Sequence, residues 1–155
     1  MTVVVQRSID IDAPPPAVWA VLVDVERWPE WTPTMLSVRR SRTGPLAVGE
    51  RVVVSQPRLS TRTWTVTEVD DGRSFTWDCA SPGVRTVAEH VLTPRINGSC
   101  TATLRVIQRG PTARLVGAVL VRLTRRYLRT EAEGLKARSE GRRSLSGNPG
   151  AHAMP

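Results

Sequence analysis

The hydrophobic period of this chain changes near residue 110, and that change limits the folds it can adopt. Before Gly110-Pro111, apolar and polar residues alternate in short runs separated by turn residues. After it, apolar residues recur in steps of three and four: Val116, Val119 or Leu120, Leu123, Tyr127 and Leu135. Alternation of apolar and polar residues is typical of strands. Apolar residues in steps of three and four are typical of an amphipathic helix. The sequence therefore predicts an antiparallel sheet packed against one long C-terminal helix.

Two short helices are predicted between the first strand and the others. The β-branched segment TVVVQRSIDIDA (2–13) favours a strand, and the prolines of DAPPPAVWAVLVDV (12–25) favour a helix start. Trp28-Pro29 interrupts this helix, because proline lacks an N–H donor, and a second helical turn through Glu30 and Trp31 should end at Pro33. The six later strands are predicted at 35–42, 51–57, 61–69, 74–80, 84–92 and 99–109.

The predicted sheet and the C-terminal helix differ in width. Seven strands spaced about 4.8 Å apart are much wider than one helix, which measures about 10 Å with its side chains. A curved sheet that wraps the helix is therefore expected to leave a gap between the two layers. The fold class is α+β, with a single domain at 1–140. The segment GRRSLSGNPGAHAMP (141–155) lacks apolar periodicity and predicts a disordered tail.

Several segments resemble one superfamily over about residues 3–140. They are IDIDAPPPAVWAVLVDVERWPEW, GPLAVGERVVVSQP, WTVTEVDDGRSFTW, GVRTVAEHVLTP and RYLRTEAEGLKARSE. They are similar to the helix-grip proteins, which include START lipid-transfer domains, the birch-pollen allergen family and bacterial polyketide cyclases of the SRPBCC type. The resemblance implies a curved seven-stranded sheet around the C-terminal helix, with an internal cavity that takes different ligands in different members.

The expected cavity wall is mainly aromatic. Strand alternation places Trp64, Val66 and Glu68 on one face of their strand, and Thr86, Ala88 and His90 on one face of another. Trp28 and Trp31 either line the cavity or close the open end of a small core. The candidate ligand-binding residues are Trp28, Trp31, Gln56, Trp64, Phe75, Trp77, Thr86 and His90.

The candidate catalytic residues are His90 and Glu68. His90 is one of two histidines, and His152 falls in the predicted tail. It is either a general acid or base, paired with a group such as Glu68, or a structural residue bonded to a neighbouring strand. The sequence contains no G-x-S-x-G elbow, phosphate-binding loop or dinucleotide fingerprint, and too few histidines and cysteines for a metal site. No cofactor is predicted.

Three functions are consistent with these features. The first is non-covalent binding of a hydrophobic small molecule, such as a lipid, an isoprenoid or a polyketide-like aromatic. The second is a polyketide cyclase or dehydratase that uses the same cavity, with His90 as proton donor. The absence of a nucleophile motif neither excludes nor supports the enzyme, because the cyclases that the chain resembles mostly shape and orient a reactive chain. The third is an RNA- or ribosome-associated protein.

The third function depends on the charge of the C-terminal segment. The net charge is +8, and residues 111–155 supply +6 of it, from nine basic and three acidic side chains. The arginines of the helix either form a solvated face or contact an anionic membrane, RNA or protein; they are Arg114, Arg122, Arg125, Arg126 and Arg129. The longest apolar run, LVGAVLV (115–121), is too short to span a membrane. A cytoplasmic monomer or homodimer is expected.

Overall fold

A computed structural model describes residues 2–146 as a sheet, two α-helices and one 3-10 helix. The strands are β1 (Thr2–Ile11), β2 (Ser37–Arg40), β3 (Arg51–Ser55), β4 (Arg62–Asp70), β5 (Ser74–Ser81), β6 (Val84–Pro94) and β7 (Cys100–Arg109). The helices are α1 (Pro15–Val23), the 3-10 helix (Val25–Glu30) and α2 (Ala113–Ser146). The predicted element order is confirmed.

The seven strands form one antiparallel sheet in the order β1-β7-β6-β5-β4-β3-β2. Strands β2 to β7 follow one another as a meander, because each is joined to the next by a short connection. Strand β1 instead pairs with the last strand, with Thr2 opposite Arg109 and Ile11 opposite Cys100. With α2 packed on this sheet, the architecture is the predicted helix-grip α+β fold.

The two short helices follow the proline pattern of the sequence. Pro15 and Pro16 occupy the first turn of α1, where a missing N–H costs no hydrogen bond. Pro29 lies inside the 3-10 helix. A proline restricts the backbone of the residue before it, which here is Trp28. The Trp28 indole N–H donates to the Leu22 carbonyl at 3.0 Å, which satisfies a carbonyl at the end of α1.

Helix α2 is longer than the sequence predicted. It continues to Ser146, past the expected boundary near residue 141. Extending an existing helix needs no new nucleation, so residues without apolar periodicity can still join it. The rest of the predicted tail lies outside the described residues. Within residues 2–146, no helix is long and apolar enough to cross a membrane.

A buried ion pair joins β2 to the loop before β3. The Arg40 guanidinium donates to both carboxylate oxygens of Glu50, at 2.6 and 2.7 Å, and Glu50 is fully buried. The two parallel hydrogen bonds match the fork geometry of the guanidinium. The hydrogen bond to Glu50 raises the pKa of Arg40. The pair fixes the open edge of the sheet beside the 3-10 helix.

Candidate functional site

A cavity of about 260 Å³ lies between the concave face of the sheet and α2. The helix contributes one stripe of side chains at steps of three and four: Val116, Leu120, Thr124, Tyr127 and Glu131. This spacing places them on one side of the helix. The helix is therefore held against the sheet without filling the space between them, as the difference in width predicted.

Five strands, β3 to β7, contribute to the opposite wall, with Val54 of β3 at one side and Leu104 and Val106 of β7 at the other. On β6, Val84, Thr86, Ala88 and His90 line the cavity, because alternate residues of a strand point to the same face. On β5 and β4 the lining side chains are Cys79 and two large aromatic residues, Trp77 and Trp64. The wall thus changes from small and polar along β6 to aromatic towards β4.

The cavity opens at the end of the sheet near the start of α2. The exposed lining residues are Ser60, Arg62 and Pro82, which lie in or beside the β3–β4 and β5–β6 connections. The Tyr127 hydroxyl donates to the Pro57 carbonyl and so links α2 to the β3–β4 connection at this opening.

The opposite end of the cavity is closed by a cluster of aromatic rings centred on Trp28. Its ring lies 5.4 Å from Trp77, 5.5 Å from Trp31 and 6.3 Å from Phe75, measured between centroids. Trp28 is 1% exposed, and it lines the cavity. Rings at these distances attract one another beyond simple burial. The proline-interrupted segment therefore supplies a rigid end wall.

Six of the eight predicted ligand-binding residues line the cavity: Trp28, Gln56, Trp64, Trp77, Thr86 and His90. Trp31 and Phe75 do not. Trp31 packs behind Trp28 and against α2, where a Cβ added to Gly134 would lie 2.2 Å from the Trp31 carbonyl oxygen. Phe75 is fully buried beneath His90, with stacked rings 4.2 Å apart. Trp31 thus packs against the lining residue Trp28, and Phe75 against the lining residue His90, on the side away from the cavity.

Glu68 does not line the cavity, so it does not form the pair with His90 that the sequence left open. The register of β4 against β5 shifts between Val66 and Glu68. Such a β-bulge reverses which later residues point inward. Val66 is buried, whereas Glu68 is exposed on the other face of the sheet from the buried His90.

His90 is held as a neutral imidazole. Its Nδ1 lies 3.2 Å from the Phe75 carbonyl oxygen, and because a carbonyl only accepts, Nδ1 carries the proton. Burial lowers the pKa of His90 to about 4, against a smaller opposite effect of this hydrogen bond. The protonated ring is therefore not populated at neutral pH, which argues against the predicted proton donor. Nε2 remains as an acceptor.

Glu131 is the titratable residue that the sequence interpretation missed. It lies on the cavity stripe of α2, is 7% exposed, and its Oε1 accepts a hydrogen bond from the Thr34 hydroxyl at 3.0 Å. Burial raises the pKa of Glu131 to about 7, although the hydrogen bond from Thr34 acts in the opposite direction. This carboxyl therefore exchanges its proton near neutral pH.

The Cys79 thiol, which also lines the cavity, has low reactivity. Burial raises the pKa of the Cys79 thiol to about 11, so the nucleophilic thiolate is scarce. Cys79 and Cys100 are both free and buried. Among residues 2–146, no group of three or more His, Cys, Asp or Glu side chains is arranged to hold a metal ion.

Comparison with protein families places the chain. Residues 2–140 match the family described as "Polyketide cyclase / dehydrase and lipid transport". The chain belongs to this family. A search of curated proteins finds no match.

Solved structures share the fold of this cyclase and lipid-transport family member. The ZhuI aromatase/cyclase from a Streptomyces species superposes with a TM-score of 0.74 at 17% identity, over 96% of this chain and 99% of that one. Norcoclaurine synthase from Thalictrum flavum gives 0.69 at 14% identity, over 88% and 86%. Major latex-like protein 151 from Panax ginseng gives 0.68 at 11% identity, over 90% and 98%. At these identities the likeness concerns the fold alone.

The predicted arginine face lies outside the cavity. Arg114, Arg122, Arg125, Arg126 and Arg129 are all exposed on α2. The cavity and the basic surface are thus two separate features of one helix.

Proposed function

We propose that this protein binds one hydrophobic small molecule non-covalently in the cavity between the sheet and α2. The supporting observation is unfilled space of about 260 Å³ inside an otherwise packed core, with three tryptophans in its wall. Small-molecule sites are typically apolar clefts, starting near 300 Å³, with a few convergent polar groups. A lipid, an isoprenoid or a polyketide-like aromatic suits this description.

The polar groups narrow the chemistry of the ligand. His90 presents a neutral acceptor, and Glu131 a carboxyl whose pKa burial raises to about 7, so it can be protonated at neutral pH. Both are buried, so a fully charged ligand group without a counter-charge is penalised there. A hydroxyl or carbonyl group attached to an apolar ring or chain is therefore the expected ligand. The tryptophans supply flat apolar surfaces that would contact the apolar part of the ligand.

A pair of adjacent substitutions tests cavity binding. Thr86 lines the cavity, whereas its neighbour Val87 does not. Thr86→Phe should fill the space and abolish both binding of a fluorescent apolar probe and quenching of tryptophan emission. Val87→Phe adds a ring to the same strand and should leave probe binding intact. If both variants bind the probe like the unmodified protein, binding occurs elsewhere and the proposal fails.

A second candidate function is a cyclase or dehydratase reaction on a poly-keto chain, and Glu131 favours it. A general acid or base works best when its pKa lies near the working pH. In a dehydration, the Glu131 carboxyl would protonate the leaving hydroxyl as water, and its carboxylate would then take the proton from the adjacent carbon. Glu131→Gln should abolish turnover of a poly-keto substrate while retaining probe binding. Unchanged turnover would remove Glu131 from this role.

A further inference from the structure

The first half of α2 exposes apolar side chains next to basic ones. Leu115 and Val119 are 70% and 72% exposed and lie one turn apart, so they form a small apolar patch on one side of the helix. Arg122 and Arg126 continue the same stripe, because positions i, i+4, i+7 and i+11 lie on one side of a helix. An apolar patch thus merges into a basic one along a single exposed face.

The basic part of this face is a groove shared with the edge strand. Arg7 of β1 joins arginines of α2 around a groove of about 410 Å³; those arginines are Arg122, Arg125, Arg126 and Arg129. Within residues 2–146, none of these five side chains forms an ion pair. Like charges gathered without carboxylates repel one another, so an anionic partner is stabilising here.

We propose that this surface docks the protein on an anionic phospholipid membrane. The basic-apolar face is defined as Arg7, Leu115, Val119, Arg122, Arg125, Arg126 and Arg129. Guanidinium groups pair with lipid phosphates, and exposed leucine and valine side chains enter the boundary between headgroups and acyl chains. A basic face with adjoining apolar residues is the pattern of a helix that lies on a bilayer surface. This inference does not depend on the cavity having a ligand.

The face is close to the opening of the cavity. Pro82, at the opening, accepts a hydrogen bond from the Thr112 hydroxyl directly before α2, one turn from Leu115. Docking would therefore bring the opening near the bilayer surface. An apolar molecule could then move between membrane and cavity over a short path.

A nucleic acid partner is less well matched by the same residues. Binding of single-stranded RNA relies on aromatic side chains that stack on bases. Tyr127 is the one aromatic residue of α2, and it lines the cavity with its hydroxyl bonded to Pro57. The face itself holds only aliphatic and basic side chains, which suits lipid.

Vesicle flotation tests the docking surface. The full chain should bind phosphatidylcholine vesicles that contain phosphatidylserine, more weakly at high salt, and should not bind phosphatidylcholine alone. Each arginine near an anionic surface strengthens binding about fivefold, so Arg122→Gln with Arg126→Gln should weaken it about 25-fold. The matched control is Arg39→Gln with Arg51→Gln: both arginines are exposed, form no ion pair among the side chains of residues 2–141, and lie on strands far from β1 in the sheet. The control should bind like the unmodified protein.

Other outcomes decide against the proposal. Equal weakening by the control pair would mean that total charge, and not this face, drives binding. Unchanged binding in Leu115→Ser with Val119→Ser would remove the apolar contact. Absence of vesicle binding, together with salt-sensitive binding of an RNA oligonucleotide that needs Arg122 and Arg126, would assign the face to nucleic acid. Circular dichroism and probe binding, measured on every variant, show that the fold and the cavity persist.

Discussion

The substitution Glu131→Gln should make the protein more stable at high pH and leave its stability near pH 4.5 almost unchanged. Glutamine keeps the shape of the side chain and an oxygen that accepts the Thr34 hydrogen bond, but it never ionises. In the unmodified protein, the carboxyl has its ordinary pKa of 4.5 when unfolded and about 7 when folded. The stability that the protonated carboxyl gives the folded protein is therefore fully present below pH 4.5 and is lost as the pH rises through 7.

The size of the effect follows from the two pKa values. Raising the pKa of this carboxyl from 4.5 to about 7 on folding destabilises the folded protein by about 3 kcal/mol above pH 7, because each tenfold change in proton affinity is worth about 1.36 kcal/mol. His90 acts in the opposite direction, since its pKa of about 4 lies below its ordinary 6.5. Its contribution is complete above pH 6.5 and lost as the pH falls towards 4. Between pH 4.5 and 6.5, rising pH lowers stability through Glu131 and raises it through His90. The two changes partly cancel, so the pH dependence of the unmodified protein alone would reveal neither.

Urea unfolding at several pH values measures the difference directly. Subtracting the free energy of unfolding of the unmodified protein from that of Glu131→Gln cancels the His90 contribution, which both share. This difference should increase by about 3 kcal/mol between pH 4.5 and pH 8. Glu133→Gln, an exposed neighbour on the same helix, should give a difference near zero throughout. A constant difference for Glu131→Gln would show that the buried carboxylate is ionised at neutral pH and that the reasoning is wrong.

Other substitutions test the packing around the site. Arg40→Met leaves Glu50 buried without its partner, so urea unfolding should show a loss of about 3–5 kcal/mol. Gly134→Ala places a methyl group against the Trp31 backbone and should cost about 1–3 kcal/mol, seen as a lower melting temperature. Gly141→Ala meets no atom within 4 Å and should raise stability by up to about 1 kcal/mol. Equal melting temperatures for the two alanine variants would contradict the contact with Trp31.

The sequence predicted the sheet and the helix because their hydrophobic periods differ, but it did not predict the bulge in β4. TRTWTVTEV alternates without interruption, yet the pairing slips between Val66 and Glu68. A bulge is an extra residue relative to the partner strand, so it depends on how β5 pairs and leaves no mark on β4 alone. The assignment of Glu68 to the inner face failed for this reason.

Glu131 was missed for a different reason, since the sequence did contain a signal. It follows Tyr127 by four residues and so continues the stripe that lines the cavity. Counting only apolar residues excluded it, although a carboxyl at a core-facing helix position is a strong indication of a functional group. Trp31 and Phe75 are the opposite case. Their apolar character predicted burial correctly, but only the packed structure separates lining residues from those behind them.

The pairing of β1 with β7 has a consequence for biosynthesis. Ile11 pairs with Cys100 and Thr2 with Arg109, so the first strand has no partner until β7 is made, 89 to 107 residues later in the chain. Closing so long a loop is entropically costly, and contacts this distant in sequence slow folding. While translation continues, β1 leaves the ribosome as an unpaired, valine-rich edge. A chaperone that shields this segment should increase the yield of folded protein more than one that acts on α2.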